Sequence, residues 1–226
     1  GALLAALREF RDSAVNEGWP DRGDNDNRRV PDQIWVDAGY RPDVVYPFCL
    51  ESQGPSMRWR PAIGRGQSQQ RQQRYTRPKT TGAVIVHLGE DYHIVRLKQD
   101  AVFLVEVNSD KWKTWVHRRL AAPIDAPGAM TLYSAQRSQH LALARQLTAE
   151  KEEKEFVAGQ GEVVRWVKVR QANHWLDGLY NAAAAAHLKG VRLLDAGPAR
   201  AAKPAPQQPK LTTPDGRPFL LTERED

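Results

Sequence analysis

One cysteine, Cys49, is all that this chain of 226 residues carries, so no disulfide can form within it. A domain of this length buries roughly 70% of the surface that its unfolded chain exposes and needs no such staple. A lone cysteine fits a reducing compartment, read here as the cytoplasm, and Cys49 itself reads as a small buried apolar side chain. Long apolar runs are missing too. Nothing approaches the ~18 residues of a membrane span and no signal-peptide pattern opens the chain, so no membrane partner is expected. The six histidines, His87, His93, His117, His140, His174 and His187, stand in no H-E-x-x-H or C-x-x-C context, which argues against a zinc site. No phosphate-binding loop of the form G-x-x-x-x-G-K-[ST] is present, nor any internal repeat.

The most telling shortage is of acid. Between Glu51 and Glu90 there is none, while Arg58, Arg60, Arg65, Arg71, Arg74, Arg77 and Lys79 all fall there. The same interval holds Gly64, Gly66, a glutamine-rich stretch from Gln67 to Gln73, and the aromatics Trp59 and Tyr75. In a chain of net charge +6, such a flexible, arginine-rich and aromatic-flanked segment points to phosphates and hence to nucleic acid.

Against this basic background two isolated acids stand out. Asp37 ends the apolar run Ile34-Trp35-Val36 and is followed at once by a turn at Gly39 and by Arg41. Asp177 lies near the start of a helical stretch, in Asn173-His174-Trp175-Leu176-Asp177-Gly178. Taken singly, the first is an acid capping a turn and the second a partner of a helix dipole. Taken together in a basic chain, they suit Mg²⁺ or Mn²⁺ in a two-metal site for phosphodiester cleavage. Such ions take one or two carboxylates from the protein and the rest from substrate phosphates, so sparse ligation is expected.

The pattern alternates helix and strand. It predicts an amphipathic helix over 3–17, a polar loop over 20–32, a fully buried strand over 33–37, a helix from Pro42 to Leu50 and a strand over 58–63. Three β-branched segments, Ala83–Leu88, Tyr92–Leu97 and Ala101–Val107, read as an antiparallel meander. Asn108-Ser109-Asp110 caps a helix over Lys111–Leu120, in which Trp112 and Trp115 read as core. Met130–Tyr133 reads as a short strand, and Ser134 opens a long polar helix to Phe156 that carries Glu150 as a surface acid. Val163–Val169 is the last strand, and a final helix runs from about Ala172 to Leu188, ending at Gly190. The class is α/β, a mixed sheet flanked by helices. Residues 1–195 make one domain, and 196–226 a linker rich in Pro, Ala and Lys with a polar, disordered tail.

The stretch Ile34-Trp35-Val36-Asp37-Ala38-Gly39-Tyr40-Arg41-Pro42-Asp43-Val44-Val45-Tyr46-Pro47-Phe48-Cys49 resembles the second acidic motif of the large terminase subunit of tailed phages, in its lambda-like GpA branch. Asp110-Lys111-Trp112-Lys113, Gln146-Leu147-Thr148-Ala149-Glu150 and Asn173-His174-Trp175-Leu176-Asp177-Gly178-Leu179-Tyr180 resemble its later landmarks, in order, from about residue 30 to 190. The resemblance implies an RNase H-like nuclease domain of a DNA-packaging motor, cutting concatemeric double-stranded DNA in the bacterial host cytoplasm. Asp37 and Asp177 carry over as catalytic metal ligands; the terminase small subunit and the portal of the procapsid are the expected partners. From charge, Arg60, Arg65, Arg71, Arg74, Lys79, Lys111 and Lys113 are expected DNA contacts. No buried strand ending in an acid precedes Asp37, so the chain reads as a fragment lacking the ATPase and the first nuclease strand. Non-catalytic DNA binding and docking on the portal through Leu211–Asp226 are the alternatives.

Overall fold

The computed structural model describes residues 1–21, 24–54, 58–67, 74–78, 85–97, 101–159 and 161–191. Its centre is a sheet with strand order β3-β4-β7-β6-β5, built from Ile34–Asp37 (β3), Trp59–Arg65 (β4), Ile85–Leu88 (β5), Tyr92–Arg96 (β6) and Phe103–Asn108 (β7). β3, β4 and β7 run parallel, whereas β5, β6 and β7 form the expected antiparallel meander. The sheet is therefore mixed.

Side chains alternate across its two faces. Ile34, Val36, Trp59 and Ile63 point to one face, where helix α2 (Pro42–Ser52) contributes Val45, Phe48 and Cys49 to a core that Val15 and Ala38 complete. Leu4 and Leu7 of α1 (Ala2–Phe10) pack on its margin. Trp35, Ala62, Val105 and Val107 point the other way, against Trp112 and Val116 of α3 (Ser109–Ala121) and Tyr180 and Ala184 of α5 (His174–Leu188). Asn108 caps α3 as its sequence promises, its side-chain oxygen accepting from the Lys111 amide at 3.2 Å. Burial raises the thiol of Cys49 to about 12, so it is an inert core group.

Four expectations need correction. The polar stretch over 20–32 is not a loop: Trp19–Asp21 (β1) and Asp24–Arg29 (β2) pair as an antiparallel hairpin, outside the main sheet. β3 is half-buried rather than fully buried, because it forms an edge of the sheet among the described residues. Met130–Tyr133 forms no strand; its Met130 amide instead donates to the Arg119 carbonyl at 3.0 Å.

The fourth correction matters for function. The long helix stops at Leu147 (α4, Arg137–Leu147), and Glu150–Val157 is a strand, β8, paired with Gly161–Lys168, β9. Thr148 leaves the helical region at φ −98 and ψ 18. The alternating acids and lysines then face solvent as ion pairs, Lys154 with Glu162 and Glu155 with Arg165. Gly159 and Gly161, at φ +79 and +82, make the turn. Trp166 anchors the ribbon to α3 by packing its ring at a tilt against His117 and donating its indole N–H to Thr114 Oγ1 at 3.1 Å.

Candidate active site

The carboxyl ends of the three parallel strands lie along one margin of the sheet, where open α/β sheets bind ligands. Asp37 stands at the end of β3, and the Gly39 amide donates to its Oδ1 at 2.9 Å, so the acid caps its own turn. At the end of β4 the chain passes very close to its neighbours. A side chain on Gly64 would collide with the Tyr180 hydroxyl, and one on Gly66 would come within 2.6 Å of Ser109 Oγ and Asp110 Oδ1. Glycine is thus needed there for close approach. The first turns of α3 and α5 and the end of β9, at Lys168, close the other sides.

These elements surround an open cleft of about 410 Å³ whose walls include both Asp37 and Asp177. Behind Asp177 is a buried polar network. The Lys113 ammonium lies 2.7 Å from Glu150 Oε2 and 3.4 Å from Asp177 Oδ1. Asn173 precedes α5 yet does not cap it. Its amide donates instead to Glu150 Oε1 at 2.6 Å and to Asp177 Oδ2 at 2.9 Å. Glu150 is 2% exposed and Lys113 5%. Burial raises the Asp177 carboxyl above its ordinary range; Glu150 and Asp37 add to this and Lys113 opposes it. Burial likewise pushes the Tyr180 hydroxyl well up, with Asp177, Asp37 and Glu150 acting in the same direction. A buried cluster holding more acids than bases is therefore positioned to attract cations.

Oxygen donors of this kind fit Mg²⁺ or Mn²⁺ in type. They do not suffice in number by themselves: among the described residues no three acid, histidine or cysteine side chains form a metal-binding group. The fit is to ions that also take oxygens from a substrate phosphate. A larger cleft of about 660 Å³ lies beside α3 and α5, lined by Trp115, Arg118 and Leu179 among others, but neither Asp37 nor Asp177 reaches it.

The expected DNA contacts separate into groups. Lys111 and Arg74 are exposed. Arg60 is half-buried and donates to Gln33. Lys113, expected at the surface from its charge alone, is buried between two carboxylates. Arg71 and Lys79 lie outside the described residues. From the sequence Glu150 reads by default as a helix-surface acid, with a place near the metals as the alternative; Lys168, which lines the cleft with His174, is not singled out. The signal for Glu150 was its position as the first of an alternating run that turns at two glycines, the mark of a hairpin.

Arg65 is engaged by Glu106, which accepts from its Nε at 3.0 Å and Nη2 at 2.7 Å. His93 Nε2 lies 2.7 Å from the other Glu106 oxygen, and this hydrogen bond, ahead of Arg65, lowers the carboxyl from 4.5 to about 2. A lowered acid stabilises the fold above its unfolded value, and that contribution fades as pH falls from about 4.5 toward 2. Glu106→Gln is accordingly expected to cost about 2 kcal/mol at pH 7, allowing for partial screening. Urea unfolding of both proteins should show the difference shrinking steadily below pH 4.5.

The family model for the terminase large subunit gpA, endonuclease domain, matches residues 10–199. The chain belongs to that family. Its mixed, helix-flanked sheet is the RNase H-like fold of a nuclease domain, and the family is that of the endonuclease part of a terminase large subunit. No curated protein and no solved structure matches the chain. Among the described residues no helix is long and apolar enough to cross a membrane.

Proposed function

We propose that this terminase nuclease domain cleaves double-stranded DNA at the cleft between Asp37 and Asp177, using two Mg²⁺ or Mn²⁺ ions. The observation that carries the reading is that two acids 140 positions apart line one cleft at the carboxyl ends of parallel strands. Divalent ions held there supply an activated water and charge stabilisation for the leaving oxygen. Asp37 and Asp177 bind the ions, and Asn173 orients Asp177 through the hydrogen bond to its Oδ2. Lys168 and His174 line the cleft and contact the phosphates flanking the scissile bond. Exposed Lys111 and Arg74, with Arg71 and Lys79 of the basic segment, track the duplex backbone. In the packaging complex the substrate is concatemeric viral DNA, with the small subunit and the portal as partners.

The test is supercoiled plasmid incubated with the protein and Mn²⁺. Nicking that EDTA abolishes is the expected result, and intact plasmid at high protein concentration would refute the reading. A non-catalytic DNA-binding module is the second reading, favoured by the exposed basic side chains Lys111 and Arg74. It predicts duplex binding that weakens with salt, by about 0.9 log units per neutralised phosphate for each decade of salt, without any nicking.

A further inference from the structure

Lys113 is a basic side chain held within the acid network, at the wall of the cleft. It springs from the first turns of α3, while the carboxylates that it meets come from β8 and α5. Its ammonium is 2.7 Å from Glu150, 3.4 Å from Asp177 and 5.5 Å from the centre of the Tyr180 ring. With only 5% of the residue exposed, it cannot serve as a surface phosphate contact in this state. Glu150, whose side chain is fully buried, has its two oxygens taken by Lys113 and by Asn173. Removing one partner of such a pair leaves the other as an uncompensated buried charge.

We infer that Lys113 is the resident counter-ion of this site: it holds Glu150 and Asp177 in place without metal and sets how much divalent metal the site requires. The inference rests on the two-metal reading above. A divalent ion held by Asp177 would share that carboxylate with the Lys113 ammonium, which lies 3.4 Å from its Oδ1, and the two cations would repel. Metal must therefore bind against Lys113, or displace it toward Glu150 alone. Lys113 acts through the carboxylates, so it is a positioning residue and not a catalytic one.

Thermal melting in EDTA and across a Mn²⁺ series tests this on the full chain. In EDTA, Lys113→Met should melt below the parent, and adding Glu150→Gln to it should recover most of the loss, because the buried carboxylate is then neutral. In Mn²⁺, the concentration giving half the maximal rise in melting temperature should fall at least tenfold in Lys113→Met. Lys113→Arg, which keeps the charge, should match the parent in both series. Should Lys113→Met not fold, Lys113→Gln can still donate to Glu150 and carries the same metal prediction. A Mn²⁺-responsive parent whose Lys113→Met or Lys113→Gln form responds at the same concentration would overturn this inference alone. A parent that shows no response to Mn²⁺ would overturn the two-metal reading, and this inference with it.

Discussion

Asp37→Asn and Asp177→Asn should each lower Mn²⁺-dependent plasmid nicking by roughly a thousandfold or more while leaving the protein folded. Several kcal/mol of transition-state stabilisation come from bound ions, and about 4 kcal/mol corresponds to that factor. The two substitutions should be mild for stability, for different reasons. Asp37 is exposed, and an asparagine oxygen can still accept from the Gly39 amide. Burial penalises the charged form of Asp177, so an uncharged asparagine there avoids that cost even as Lys113 loses its more distant partner. Melting temperatures should stay close to that of the parent, and an activity loss accompanied by unfolding would not count in favour of the metal role. Nicking that survives either change undiminished would count against it.

Glu150→Ala should have the largest effect on stability, about 3–5 kcal/mol and a fall of about 10 °C in melting temperature. The reason is the company that Glu150 keeps. It is 2% exposed, pairs with Lys113 at 2.7 Å and receives the Asn173 amide at 2.6 Å. Its removal strands a buried ammonium and one amide hydrogen together, in a place where water has little access. Lys113 and Asn173 also touch the Asp177 carboxylate, so nicking should fall as well. A melting temperature within two or three degrees of the parent would mean that the network contributes little to the fold.

Much of this architecture could be read in the residues, and the failures have physical causes. Ile34-Trp35-Val36 before an acid and a glycine turn announces a strand end, and Asn108-Ser109-Asp110 announces a helix start, because local propensity and capping decide both. The meander from Ile85 to Asn108 was equally plain from its β-branched residues and turns. The run from Glu150 to Phe156 misled because acids and lysines in alternation carry no apolar periodicity, so helix and strand look alike. Cross-strand ion pairs and the packing of Trp166, both tertiary, decide it as a hairpin. That error hid Glu150, and with it the reason why Lys113 is buried. Strand order was also out of reach: β4 lies between β3 and β7, and no single residue specifies that. For the cleft itself, Asp37 and Asp177 were visible from sequence context, whereas the charge balance around them required coordinates.

The central claim is that the cleft bordered by positions 37 and 177 is where divalent cations bind. Paramagnetic broadening of backbone amide signals by substoichiometric Mn²⁺ measures this directly. Broadening that begins at Asp37–Gly39, Gly64–Gly66 and Asn173–Asp177, and disappears in Asp177→Asn, is the predicted result. Broadening that begins instead on the exposed acids of β8, or that is unchanged by Asp177→Asn, would contradict it.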